Sequence, residues 1–345
     1  MSPSTTSPGL DVKALGAYLA AHLDGQWADL RIEQFVGGQS NPTFLLTAAG
    51  RRYVLRKRPH GALLPSAHAI DREYRVMSAL AATGVPVPSM RLFCEDTSIL
   101  GTTFFVMDHI AGRVVKDTTM PGETAPNRTA VYDAMNATLA ALHTVDVATV
   151  GLSDYGRPVG YYGRQVKRWT EQYRATQTGS VDEMEHLIEW LPRHLPPDLG
   201  VSIVHGDYRL ENLMLHATEP RVLAVLDWEL STLGDPLGDL AYNCLPWHLP
   251  PTVFHGLLGT EFAAAGIPSE GEYLAAYCRR TGSEDIAGWH FYIAFALFRL
   301  AAILQGVLKR ALDGNASSPD ARERGSQYVD CARAGWQAIV RANAA

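Results

Sequence analysis

Cysteine is scarce in this chain. Cys94, Cys244, Cys278 and Cys331 are the only four in 345 residues, far apart and with no C-x-x-C pair. That spacing speaks against a disulfide framework or a cysteine-held zinc and suits a reducing compartment. Charge is sparse as well, at 19% of residues, and the net charge of -6 comes with no basic tract. Nucleic acid is therefore not an expected partner. The first ten residues, MSPSTTSPGL, lack the apolar core of a secretion signal. The most apolar run, FYIAFALFRLAAILQGVL at residues 291–308, is broken by Arg299 and Gln305. A membrane span needs roughly 20 largely apolar residues, so the run reads as a buried helix. The expectation is a soluble cytoplasmic protein with no membrane partner.

Apolar residues make up 47% of the chain, enough for a sizeable core, and the length suits two lobes rather than one. Leu15, Leu19 and Leu23 recur at helical spacing until Gly25, so residues 1–27 read as a tail and a leading helix. Residues 28–110 read as a β-rich lobe. IEQFVGG and NPTFLLTAAG predict a hairpin, RRYVLRKRP a third strand, Ala67–Ala82 a helix, and RLFCEDTSILGTTFFVMDHI two more strands around a turn. Residues 111–345 read as mostly helical, with helices at Ala130–His143, Tyr161–Thr176, Val181–Leu191, Gly271–Arg280 and Trp289–Leu312. A β-like island, Val201–Trp228, interrupts them. The predicted fold is α+β, with a small antiparallel sheet lobe carrying one key helix and a larger helical lobe.

The island carries the chemistry. In VSIVHGDYRLENLML and VLAVLDWE, two apolar runs, Leu213–Leu215 and Val222–Leu226, flank the loop-like ATEP. A hairpin there would place Asn212 just before one strand and Asp227 just after the other, side by side. An amide oxygen and a carboxylate are suitable hard ligands for magnesium. Asp207 lies on the loop leading in, where it could accept the proton of an attacking hydroxyl. Phosphoryl transfer needs chiefly metal-held phosphates and an aligned nucleophile. Downstream, in GDPLGDL, Asp235 is expected to bond the catalytic-loop backbone and Asp239 to cap the next helix; a second metal is the alternative.

His205-Gly206-Asp207-x-x-x-x-Asn212 followed by Asp227-Trp228-Glu229 resembles the aminoglycoside phosphotransferase/choline kinase superfamily, which has a bilobal protein-kinase-like fold. The resemblance implies Asp207 as catalytic base or hydroxyl orienter, Asn212 and Asp227 as Mg2+ ligands, and ATP as phosphoryl donor. The loop FVGGQSN between the first strands would approach the phosphates through Gly37, Gly38, Ser40 and Asn41. Arg56, with Lys57 as its rival, would reach the α/β-phosphates and pair with Glu73. Met107, Asp108 and Ile110 would form the hinge against adenine. YVLRKRPHGALLPSAHAIDREYRVM, GVPVPSM, GYYGRQVKRW and LDWELSTLGDPLGDLAY are similar to the branch fused to, or encoded near, acyl-CoA dehydrogenases. That implies a hydroxylated small-molecule acceptor, plausibly a hydroxyacyl-CoA or hydroxy acid, and a functional link to such a dehydrogenase. Two other readings stand beside it: a drug phosphotransferase, and a catalytically silent nucleotide-binding scaffold. Arg164, Lys167 and Arg168 share a helical face that could meet an anionic acceptor or simply be solvated.

Overall fold

The structure, a computed structural model, describes residues 3–4, 10–35, 41–59, 70–157, 159–198, 200–316 and 318–344. Its contacts divide the chain into two units. One comprises Met1–Arg113 with Leu223–Leu230, the other Val114–Val222 with Ser231–Ala345.

The first unit is built on an antiparallel sheet of β1 (Pro3–Ser4), β2 (Arg31–Phe35), β3 (Thr43–Ala48), β4 (Arg51–Lys57), β5 (Met90–Cys94) and β6 (Phe104–Asp108). The strand order is β1-β2-β3-β4-β6-β5. Strand alternation gives the sheet two different faces. Phe44, Leu46, Tyr53, Leu55, Phe104 and Val106 point into one core, which Leu15 and Leu19 of helix α1 (Val12–His22) complete. Asp11 caps α1, accepting from the Lys13 and Ala14 N–H groups. Helix α2 (Ile70–Leu80) supplies Tyr74, which packs on Phe93 and Phe105. The expected turn between β5 and β6 contains a one-turn helix, α3 (Thr97–Leu100). Asp96 caps it and Gly101, in the left-handed region, ends it. Segment Leu223–Leu230 is tied to this unit where the Val225 N–H donates to the Pro86 carbonyl at 2.8 Å.

The second unit holds helices α4 (Ala125–His143), α5 (Tyr161–Thr176) and α6 (Asp182–Trp190), then strands β7 (Ser202–Val204), β8 (Leu213–Leu215), β9 (Val222–Val225, mostly in the first unit) and β10 (Thr232–Gly234). Helices α7 (Leu237–Asn243), α8 (Phe262–Ala265), α9 (Glu270–Thr281), α10 (Trp289–Leu312), α11 (Ala321–Ser326) and α12 (Tyr328–Ala344) follow. β8 and β9 form the expected two-stranded sheet, and β10 pairs antiparallel with β7, a pairing the sequence did not announce. Helix α4 begins at Ala125, ahead of the predicted Ala130, because Thr124 accepts from the Asn127 N–H and a proline opens the first turn.

Helix α10 is long and apolar enough to cross a membrane, yet 83% of its apolar window is buried among the other helices of its unit. The four cysteines are free thiols. The C-terminal pair α11 and α12 packs on α10 and was not foreseen. One close approach makes that packing testable. A Cβ on Gly325 would lie 2.6 Å from the Leu308 nitrogen and 2.7 Å from its Cα. Gly325→Ala should therefore force α11 off α10 and cost about 2 kcal/mol, read as a lower midpoint in urea unfolding.

Candidate active site

In the first unit, β4 sends alternate side chains to opposite faces, and this separates the two rival cations. Arg56 faces α2: its Nε lies 3.1 Å from Glu73 Oε2. The same guanidinium reaches Asp227 Oδ1 at 3.0 Å and Glu229 Oε2 at 3.6 Å. Lys57 is buried on the α1 face, and its ammonium donates to the Leu100 carbonyl at 3.2 Å. Burial lowers its pKa. The Asn41 amide, buried, donates to Glu73 Oε1 at 2.9 Å, so its side chain serves the ion pair rather than facing outward. Gly37, Gly38 and Ser40 lie outside the described residues. Met107 and Asp108 end β6, the Asp108 carboxylate is held by Arg91 at 2.7 and 2.5 Å, and Ile110 follows beyond the strand.

One cation here faces three carboxylates. Burial opposes the Arg56 charge, but Glu73, Asp227 and Glu229 together outweigh it and raise its pKa. Glu73 is pushed up to about 7, by burial first and by the charges of Asp227 and Glu229, against the pull of Arg56 and Asn41. Asp227 adopts φ +65°, a left-handed conformation that is strained for a residue with a side chain. Strain of this kind clusters at functional sites.

In the second unit, the loop after β7 is fixed by a fully buried carboxylate. Asp239 of α7 accepts from the His205 N–H and, at 2.8 Å, from the Gly206 N–H. Burial alone would raise its pKa, but the His143 side chain and these contacts hold it below the usual carboxylate range. The two aspartates thus exchange the roles expected of them. Asp235 accepts the Leu237 N–H at 2.8 Å at the start of α7, while Asp239, inside that helix, holds the His205–Gly206 backbone. Spacing alone could not show which carboxylate turns inward.

Asp207 follows directly. Its backbone N–H donates to His205 Nδ1 at 3.1 Å, so His205 is a scaffold residue. The Asn212 amide donates to both the Asp207 carbonyl, 2.8 Å, and Asp207 Oδ2, 2.7 Å. Arg209 Nε stands 3.4 Å from Asp207 Oδ1, and the Arg209 guanidinium also pairs with Glu211. Arg209 and Glu211 border a cavity of about 390 Å³ whose walls include Tyr132, Met135, Tyr242 and Trp247 and whose polar lining includes Lys116, His255, Asp320 and Arg324. The basic face predicted on α5 does not converge on it. Arg164 is spent on the Val159 and Arg157 carbonyls, and Lys167 is exposed beside Glu171.

The sequence of residues 31–292 matches the APH model, described as the phosphotransferase enzyme family. The chain belongs to this family. It is 48% identical over 326 residues to acyl-CoA dehydrogenase family member 10 of Mus musculus, covering 94% of this chain and 30% of that protein. Acyl-CoA dehydrogenase family member 11 of Homo sapiens is 46% identical over 316 residues, 90% of this chain and 40% of that protein. The chain thus spans less than half the length of these relatives. A crystal structure from Ralstonia eutropha JMP134, provisionally described as an aminoglycoside phosphotransferase, is 50% identical with a TM-score of 0.88, over 96% of this chain and 98% of that one. A ternary complex of aminoglycoside phosphotransferase APH(4)-Ia with AMP-PNP and hygromycin B shares the fold at 19% identity and a TM-score of 0.59, over 93% of this chain and 98% of that one. The fold is the α+β, protein-kinase-like fold of this phosphotransferase family.

Two outcomes test the second unit's carboxylates. Asp239→Ala orphans two buried N–H groups and should cost about 3 kcal/mol in denaturant unfolding. Burial raises the Asp235 pKa from 3.8 to about 6. A raised carboxyl keeps its proton longer in the folded state, so its contribution is full below the unfolded pKa and lost as pH rises through 6. Asp235→Asn, which mimics the protonated form, should therefore gain on the parent by about 2 kcal/mol between pH 4 and pH 7, measured by urea titration at each pH.

Proposed function

We propose that the protein is a magnesium-dependent small-molecule kinase that transfers the ATP γ-phosphoryl group to an alcohol, on a hydroxyacyl-CoA or hydroxy acid. The single observation that carries this reading is the Asp207–Asn212 pair. Asn212 turns its amide nitrogen onto the Asp207 carboxylate, which leaves its own oxygen facing the other way.

In this reading Asp207 aligns the acceptor hydroxyl and takes its proton as the oxygen bonds to the γ-phosphorus. The bond to the β–γ bridging oxygen breaks, and ADP leaves with a phosphate ester formed. Asn212 and Asp227, which bracket the β8–β9 hairpin in sequence, are the proposed Mg2+ ligands. Both offer hard oxygen donors, as that ion prefers. When bound, Mg2+ neutralises charge on the phosphates. Arg56, set by Glu73 and Asn41, is the proposed α/β-phosphate contact. Gly37, Gly38 and Ser40 are the proposed phosphate-loop residues, and Met107, Asp108 and Ile110 the proposed adenine edge.

The cavity favours an anionic, partly apolar acceptor over a polycationic drug. Lys116, Arg209 and Arg324 outnumber Glu211 and Asp320 in its lining, which also includes Tyr132, Tyr242, Trp247 and Phe254. The names of the relatives suggest a functional link to an acyl-CoA dehydrogenase, and that link, with a cytoplasmic location, belongs to the proposal.

The test is ADP release with a panel of hydroxyacyl-CoAs, hydroxy acids, sugars and amino alcohols. Asp207→Ala should lower turnover by about 100-fold or more, with MgATP affinity kept within about threefold. Full turnover in that variant would sink the mechanism. Binding of ATP without magnesium dependence, and no turnover on any panel member, would favour the silent scaffold.

A further inference from the structure

Arg299 is the residue that interrupts the apolar run of α10, and it is 6% exposed. Its partners are unusual for a buried arginine. Among the described residues no carboxylate forms an ion pair with it, and its Nε has no hydrogen-bond partner. The guanidinium instead donates to the Gly206 carbonyl. It also lies over two aromatic rings, 4.9 Å from the Tyr242 centroid and 5.3 Å from that of Trp169. Burying a cation without a counter-ion is costly, so a side chain kept there makes contacts that a neutral one would not.

The Gly206 carbonyl belongs to the peptide that joins Gly206 to Asp207. The N–H of that same peptide donates to His205 Nδ1. The preceding peptide is held through the Gly206 N–H on Asp239. Gly206 itself has φ +86°, a left-handed conformation open to glycine, whose backbone is not by itself held to one turn. Tyr242, the second partner of Arg299, is held neutral by burial first and by the nearby Asp207 charge next, and it lines the cavity. Arg299 therefore meets Asp207 by two routes, the backbone carbonyl before it and the ring beside it.

We infer that Arg299 is a positioning residue for Asp207: from α10 it pins the Gly206–Asp207 peptide and the Tyr242 ring, and so fixes where the catalytic carboxylate stands. It touches neither nucleotide nor acceptor. The role rests on the kinase reading, in which Asp207 aligns the hydroxyl. It goes beyond that reading because the control lies in a helix whose sequence otherwise signals only core packing.

The experiment uses the full chain with MgATP, water as acceptor, and the variants Arg299→Met, Arg299→Lys and Asp207→Asn. Arg299→Met should lower Asp207-dependent ADP release by about 10- to 100-fold, since small misplacements of a reacting group have effects of that size. Its MgATP dissociation constant should stay within twofold. Arg299→Lys, which keeps the charge over the two rings, should recover part of the loss. Deuterium uptake across residues 203–212 of MgATP-bound protein should rise in Arg299→Met and remain unchanged in the sheet of the first unit. Turnover within twofold of the parent, or no recovery by lysine, would overturn the inference, as would unchanged uptake over 203–212. If the parent shows no Asp207-dependent turnover with water or with any member of the acceptor panel, the kinase reading fails by itself. The uptake comparison then still decides whether Arg299 holds the loop.

Discussion

The buried carboxylate of Asp239 is the constraint on which the loop after β7 depends. That loop lies outside regular secondary structure, so its backbone groups need dedicated partners. Asp239 supplies acceptors for two consecutive N–H groups and is itself held by His143, which in turn contacts the Tyr277 hydroxyl at 2.7 Å. Every member of this relay comes from a different helix or loop. Asn212 then closes the far end of the same loop on the Asp207 carbonyl.

The first unit solves a different problem, which is to keep charge concentrated where water is scarce. Arg56 stands among Glu73, Asp227 and Glu229, and only Glu73 is deeply buried with it. Burial first, and then the excess of negative charge, raises Glu73 toward neutrality, while Asp227 is partly exposed in its left-handed conformation. A cluster with that imbalance is stabilised by any added cation, which is the electrostatic setting that the magnesium proposal needs.

Much of this was legible in the sequence because two periodicities are strict. Alternation along β4 put Arg56 and Lys57 on opposite faces, and the apolar pattern marked α5 and α10 at their observed limits. The motif letters singled out Asp207 and Asn212, which meet at 2.7 Å, and Asp227, which meets Arg56. What stayed hidden depends on long-range contacts. Asp235 and Asp239 lie four residues apart in sequence, and only the packing of α7 against the loop decides which faces inward. Asn41 looked like part of a phosphate loop, whereas its amide meets a glutamate 32 residues away. Helices α11 and α12 were not foreseen; α11 is only six residues long, and four of the seven buried residues of α12 are alanine or glycine.

The division of the chain also bears on how the protein is made. The first unit is not one continuous stretch: Leu223–Leu230 arrives after more than a hundred residues assigned to the second. A nascent chain folding from its N-terminus can build the sheet and seat Arg56 against Glu73 early. Asp227 and Glu229 join that arginine only once β9 has been synthesised. The charge cluster is therefore completed late and together with the loop, so a partly made chain holds a folded sheet but not the finished set of acidic groups. For the same reason, a fragment cut after Arg113 would carry the arginine without two of its three carboxylates.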